Sequence, residues 1–171
     1  MSKIITVYFS RRGLNYFNSS VQYLERGNTE IAAEMIQRAV GGDLFEIKTV
    51  KPYAADYREC CQEAVEEVKA NARPELQAFV ENLDEYDTIF VGYPNWCGTM
   101  PMCVRTFLEH YDLAGKRIAP LCTSEGSGLA NSLKDLAESC PGAKILPGLP
   151  VHGSTVRDSE NKIAAWAKAM V

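Results

Sequence analysis

The 171-residue sequence has only two histidines, far apart, and no CxxC pair among its six cysteines, which argues against a zinc site. No apolar run approaches the length that crosses a bilayer, so membrane insertion is not expected. Residues 1–9 are too short for the apolar core of a signal peptide and carry no cleavage site. With that and its scattered cysteines, the expectation is a reduced, cytoplasmic protein. There is no excess of positive charge. A formal net charge of −4 leaves no basic face for general nucleic-acid binding and only weak reason to expect basic partners. No Ser-His-Asp arrangement and no metal-binding carboxylate pair suggests itself, so no catalytic residue and no metal ligand is nominated. His110 and His152 are assigned no role. No repeat, low-complexity tract or linker divides residues 1–171, which are read as one domain.

What is present is a globular composition, 46% hydrophobic, long enough to bury a core of its own. Residues 4–9 form a short apolar run rich in β-formers, the first strand. Ile31, Met35, Ile36, Ala39 and Val40 then recur at helical spacing, and Gly41-Gly42 ends that helix. Residues 43–47 read as a second strand, 57–71 as a charged helix and 75–83 as a further helical turn or two. Residues 88–92 read as a third strand. A helix follows, with Pro101 in its first turn and Val104, Phe107, Leu108 and Tyr111 on its apolar face. A fourth strand covers 117–122, a helix 129–136, a fifth strand opens at Lys144-Ile145-Leu146, and residues 159–170 close the chain as a helix. Strands alternating with helices predict right-handed crossovers and a parallel sheet covered on both faces.

Three polar loops follow three of these strands. The first holds Ser10 and Arg11 at the strand end and, after residues 11–26, Gly27-Asn28-Thr29 at the start of a helix. Unpaired N–H groups and the helix dipole favour an anion there. Arg11, Arg12 and Arg26 are near enough in sequence to add charge. Asn28 reads equally as a simple N-cap. The second loop, Tyr93-Pro94-Asn95-Trp96-Cys97-Gly98-Thr99-Met100-Pro101, carries a large aromatic residue suited to stacking on a flat ring. Trp96 can instead cover the sheet end as a core residue, and Cys97 can be plain packing. The third, Thr123-Ser124-Glu125-Gly126-Ser127-Gly128, can turn backbone N–H groups toward a ligand, or be a tight turn with Ser127 as N-cap. At the carboxyl ends of neighbouring parallel strands such loops lie side by side. Residues 11–26 read as a long loop, either an ordinary excursion with Phe17 or Val21 tucked inward or a functional segment.

These three segments together resemble the flavodoxins, most closely a bacterial flavodoxin-like subgroup with a tyrosine-proline-x-tryptophan second loop. Ala55-Asp56-Tyr57 and Asn71-Ala72-Arg73-Pro74 add to the likeness, which runs from residue 3 to the last helix. The resemblance implies a five-stranded doubly wound sheet in order 2-1-3-4-5 with FMN at its switch point, an arrangement for which flavodoxin is the standing example. It implies Ser10, Arg11, Asn28 and Thr29 at the phosphate. It also implies Pro94, Asn95, Trp96, Cys97 and Gly98 along the ring, and Thr123, Ser124, Glu125 and Gly126 at its pyrimidine edge. The Cys97–Gly98 peptide is implied to turn toward the ring when the ring is reduced.

Two departures stand out. The phosphate segment is interrupted by residues 11–26, and the third loop has no aromatic residue. One ring face is then open, or is covered by Tyr16, Phe17 or Tyr23. The expected function is FMN-dependent electron carriage, with a redox partner protein or a small-molecule acceptor. The alternatives are an NAD(P)H-dependent flavin reductase acting on quinones or similar acceptors, and a binding module without flavin.

Overall fold

The computed structural model describes residues 2–171. Its elements in chain order are β1 (Ile4–Tyr8), β2 (Gly13–Phe17), β3 (Ser20–Leu24), α1 (Asn28–Val40), β4 (Asp43–Glu46), α2 (Tyr57–Lys69), β5 (Thr88–Pro94), α3 (Met102–Glu109), β6 (Arg117–Ser124), α4 (Ser132–Ser139), β7 (Lys144–Ile145), β8 (Leu149–His152) and α5 (Glu160–Ala169). The central sheet is parallel, in order β4-β1-β5-β6-β7, with β8 also pairing β6. Counting β7 and β8 as one interrupted strand, this is the expected 2-1-3-4-5 order.

Side-chain alternation along the strands divides the core in two. Ile5, Val7, Ile89, Val91, Tyr93 and Ile118 face one way, with Val104, Phe107 and Leu108 of α3 and Leu136 of α4 packed over them. Phe90, Ala119, Leu121 and Val151 face the other way. They are covered by Ile31, Met35 and Ile36 of α1 and by Ile163 and Ala167 of α5. Burying each large apolar side chain of this kind contributes about 1.5–3 kcal/mol. The two helical layers therefore hold β1, β5 and β6 rigidly, and the site is built at the carboxyl ends of those strands.

The expected fifth strand is broken. Lys144-Ile145 pairs the start of β6, Leu149–His152 pairs its end, and Pro147, which has no N–H to give the ladder, stands between. The helical turns expected over 75–83 do not form beyond a 3-10 turn at Leu83–Glu85. Val50 N–H donates to the Glu75 carbonyl and Gln77 N–H to the Lys48 carbonyl, so the neighbouring strand-like segment has claimed this backbone. The helix expected at 129–136 starts instead at Ser132. Gly128 at φ +65° and Ala130 at φ +45° are outside helical geometry.

The largest revision concerns residues 11–26. They are not a loop but a two-stranded antiparallel hairpin, with Leu14 opposite Tyr23 and Tyr16 opposite Val21. Its two-residue turn, Asn18-Ser19, has φ of +50° and +71°. Positive φ at both centres gives the turn whose twist matches that of hairpin strands, and Asn tolerates it well. Val21 is not tucked inward; it is exposed, as are Tyr16 and Tyr23.

Candidate functional site

The first turn of α1 stands at the carboxyl end of β1. Its N-cap is Gly27, which has no side chain to satisfy the helix. Ser10 Oγ does so instead, accepting the Glu30 N–H at 3.0 Å. A Cβ on Gly27 would sit 2.1 Å from that Ser10 oxygen and 2.7 Å from the Arg11 carbonyl, so only glycine lets the helix start come this close to the strand end. The Ile31 N–H is taken by the Gly27 carbonyl. The N–H groups of Asn28 and Thr29, the first two helical residues, are left at the positive end of the helix dipole for an anion. Asn28 is therefore not the N-cap.

The three arginines considered for this end are engaged elsewhere. Arg11 Nε donates to the Leu14 carbonyl at 3.0 Å, and its Nη2 donates to the carbonyls of Ala54 and Ala55 at 2.9 and 3.1 Å. Arg12 pairs with Glu30 at 2.8 Å, and Arg26 pairs with Glu34. What this end offers an anion is hydroxyls, backbone N–H groups and the helix dipole, with Arg11 clamped at the margin.

The second and third loops are locked together. The Asn95 N–H donates to the Thr123 carbonyl at 2.8 Å, Asn95 Nδ2 to the Gly128 carbonyl at 2.9 Å, and the Asn131 N–H to the Gly98 carbonyl at 2.9 Å. Ser124 Oγ accepts the Gly128 N–H at 3.0 Å, so Ser124, not Ser127, organises the turn. Thr29 Oγ1 and Thr123 Oγ1 are 2.8 Å apart and buried, which ties the start of α1 to the end of β6. Trp96 and Thr99 exchange backbone hydrogen bonds around a two-residue turn, with Cys97 at φ +58° and Gly98 at φ +80°. The Gly98 N–H donates to Asn95 Oδ1 at 3.0 Å, so turning the Cys97–Gly98 peptide requires giving up that bond.

Between these loops lies a cavity of about 210 Å³. Ser10, Arg11, Asn28, Thr29, Pro94, Asn95, Trp96, Thr123, Ser124 and Glu125 all line it, as the sequence reading grouped them. Cys97 lines an adjoining cavity of about 190 Å³ that shares Arg11, Asn15, Tyr57, Asn95 and Trp96 with the first. Gly98 and Gly126 line neither; both occupy turns with open space where a Cβ would be. Trp96 both lines the cavity and packs against the core. It is half-buried, lines the cavity, and is braced edge-on by Phe9 and Tyr53 with ring centroids 5.1 and 5.0 Å away. Desolvation by burial, with the neighbouring Cys61 thiol second, raises the Cys97 pKa, so it stays a neutral thiol at pH 7 although the residue as a whole is exposed. Tyr57 is pushed up to about 12, first by burial and then by its hydrogen bond with Cys61, and it lines both cavities as a neutral phenol.

Three residues outside the expected ligand contacts, and one of the three aromatic residues named as a cover for the ring, join the site. Asn15, Tyr16, Tyr57 and Ser127 line the main cavity. The alternation of Leu14, Tyr16, Val21 and Tyr23 around Asn18-Ser19 was a legible hairpin signal. His152, assigned no role, has its Nε2 2.7 Å from Glu125 Oε2. Nothing local marks that pairing. No cluster of metal-binding side chains occurs among the described residues, and no helix there is long and apolar enough to cross a membrane.

An anion-seeking helix start at one end and an aromatic wall at the other suit a ligand with one phosphate and a flat conjugated ring. Comparison with known proteins supplies the family. A family model described as flavodoxin matches residues 11–170. A solved structure from Bacteroides eggerthii, described as a candidate flavoprotein, is 32% identical over 99% of this chain and 98% of its own, with a TM-score of 0.79. One from Bacteroides uniformis, described likewise, is 30% identical over 98% of each chain, with a TM-score of 0.77. A Lactobacillus acidophilus flavoprotein solved in complex with FMN is 20% identical over 94% of this chain and 99% of its own; its TM-score of 0.64 shows the shared fold. Nothing among the curated proteins matches. With the family model spanning nearly the whole chain, the sheet order and the three converging loops have a common explanation: this chain belongs to the flavodoxin family.

Proposed function

We propose that the chain binds FMN and works as an electron carrier, exchanging electrons with a redox partner protein or a small-molecule acceptor. The observation that carries this reading is the cavity between the ends of β1, β5 and β6. It has the free N–H groups of Asn28 and Thr29 at one end and Trp96 at the other. The donor set suits a phosphate monoester: the Ser10 hydroxyl proton, first-turn backbone N–H groups, the Asn28 amide and a helix dipole. One such cradle fits a mononucleotide better than a dinucleotide. FMN, when bound, supplies one- and two-electron redox chemistry. The protein's share is orientation and access. Trp96 offers a braced aromatic surface. The Asn95 carboxamide fixes the second loop against the third, and the Gly98 N–H stays paired until the turn rearranges.

The test is direct. Purified protein is denatured, the released cofactor identified by mass, and apo protein titrated with FMN. Release of FMN and stoichiometric rebinding are expected; recovery of FAD, or no binding, overturns the proposal. Stepwise reductive titration then separates carrier from reductase, since carriage is served by reduction in two resolved one-electron steps.

A second reading, reduction of a small planar acceptor at the expense of NAD(P)H, is favoured by one feature. A groove of about 470 Å³ lies beside the cavity, lined by Leu14, Tyr16, Val21, Asp56, Tyr57, Arg58 and Cys61, and it shares Tyr16 and Tyr57 with the cavity. Steady turnover of NAD(P)H with a quinone, together with reduction in one two-electron step, would put this reading first.

A further inference from the structure

The β2–β3 hairpin packs beside α2 and is hydrogen-bonded to its surroundings at its base and its tip. At its base, Arg11 holds the Leu14 carbonyl and, with the same guanidinium, the carbonyls of Ala54 and Ala55 ahead of α2. At its tip, the Asn18 N–H donates to Glu125 Oε1 at 3.2 Å, which joins the hairpin to the third loop on the far side of the cavity. Glu125 is well buried for a carboxylate, its side chain 15% exposed, and a buried charge must be met by partners. Its other oxygen is met by His152 Nε2 at 2.7 Å, from the end of β8. That end comes close because residue 153 is glycine. A Cβ there would stand 2.5 Å from Asn28 Nδ2 and 3.6 Å from Glu125 Oε1. Glu125 therefore sits beside the anion end of the cavity, braced from outside and bonded to the hairpin. Between the two fastenings, Tyr16 lines the cavity. The third loop supplies no aromatic side chain, so the cavity's aromatic walls are Trp96, Tyr16 and Tyr57.

We propose that the hairpin is a latched strap that retains the cofactor. Tyr16 covers the ring on the side that the third loop leaves without an aromatic residue, and Glu125, held in place by the positioning residue His152, fastens the strap through the Asn18 N–H. The strap opens by losing one hydrogen bond at the tip while Arg11 keeps the base in place. This inference rests on the FMN reading for its cofactor part, but the latch is a property of the chain itself.

The experiment has two arms. In cofactor-free protein, hydrogen exchange of the amides of residues 13–24 is compared for wild type, Glu125→Ala and His152→Ala. Faster exchange confined to the hairpin is expected in both variants, larger in Glu125→Ala; wild-type exchange in both overturns the latch. His152 is half-exposed, so its variant decides the point if Glu125→Ala fails to fold. In the second arm, FMN-loaded protein is mixed with excess apo-flavodoxin as a trap and the release rate is followed. Release about tenfold faster is expected for Glu125→Ala, the size of effect a lost charge-assisted hydrogen bond produces. Tyr16→Ala is expected to release FMN faster with its hairpin exchange unchanged; release at the wild-type rate in both overturns the strap. Wild type that takes up no FMN overturns the cofactor reading alone, and the first arm still decides the latch.

Discussion

The two sides of the cavity are built on opposite principles. On one side the start of α1 and the second and third loops are cross-tied by buried or half-buried bonds: Ser10 to Glu30, Thr29 to Thr123, Asn95 to Thr123 and Gly128, Asn131 to Gly98. These ties join separate elements, and the strands beneath are buried except at their end residues. On the other side the hairpin exposes Tyr16, Val21 and Tyr23, lies beside α2, and is hydrogen-bonded to the rest of the site through Arg11 at one end and Glu125 at the other. A two-stranded hairpin is at best marginally stable by itself. The walls that position a ligand are rigid, and the element that crosses the mouth is the one able to move.

The strongest way to break this contrast is to attack the rigid side where it has no slack. Gly27→Ala places a methyl group inside contact distance of both Ser10 Oγ and the Arg11 backbone. Overpacking of this kind costs about 1–3 kcal/mol. We expect a lower urea midpoint together with near-complete loss of FMN binding, measured on the same preparation. Retention of wild-type affinity would mean that the helix start is not the anion cradle.

Next in size is Trp96→Ala. The indole is half-buried against Phe9 and Tyr53, so truncation should cost about 2–3 kcal/mol, below the range for a fully buried aromatic residue. Binding should weaken, the flavin absorption should shift, and most ligand-induced quenching of tryptophan fluorescence should vanish. Trp166, in α5 on the opposite face and bonded to the Pro147 carbonyl, should contribute little quenching.

A sharper probe separates two neighbours. Thr29→Val removes the buried hydroxyl bonded to Thr123 and should cost about 1 kcal/mol of stability as well as affinity. Asn28→Ala should weaken FMN binding about tenfold or more while moving the urea midpoint little, because Gly27 rather than Asn28 caps the helix. Equal effects of the two substitutions on folding would contradict this division of roles.

The smallest effect belongs to the exposed Tyr23, opposite Leu14 in the hairpin. Tyr23→Ser alters a side chain that is 71% exposed, and should change stability by no more than about 0.5 kcal/mol and leave FMN affinity alone. A large loss of electron transfer to a partner protein without loss of FMN would instead mark the surface around Tyr23 as a contact site.

Much of the fold was legible because its signals are local. Apolar runs, helical spacing around Ile31, Met35 and Ile36, and glycines at helix ends are set by a few adjacent residues. The grouping of Ser10, Asn28, Trp96 and Thr123 in one cavity followed from parallel-sheet geometry, since loops at the same strand ends must converge. The helical turns expected over 75–83 failed because backbone groups around Lys48 and Val50 competed for the same hydrogen bonds, a contest between distant segments. The three arginines near the anion site could not be assigned from sequence, because their partners include Ala54, Glu30 and Glu34 on other elements.

The alternation of strands and helices, the parallel sheet, and the three loops that face one another across its carboxyl edge are already written in the chain. These follow from side-chain periodicity and chain connectivity. Folding alone set Asn95 as a tie between loops and Ser124 as the organiser of its own turn, made a hairpin of residues 13–24 across the cavity, and brought His152 to Glu125. Each of these depends on hydrogen bonds between residues brought together by packing, and a hydrogen bond of a few ångströms leaves no trace in the local pattern of either partner.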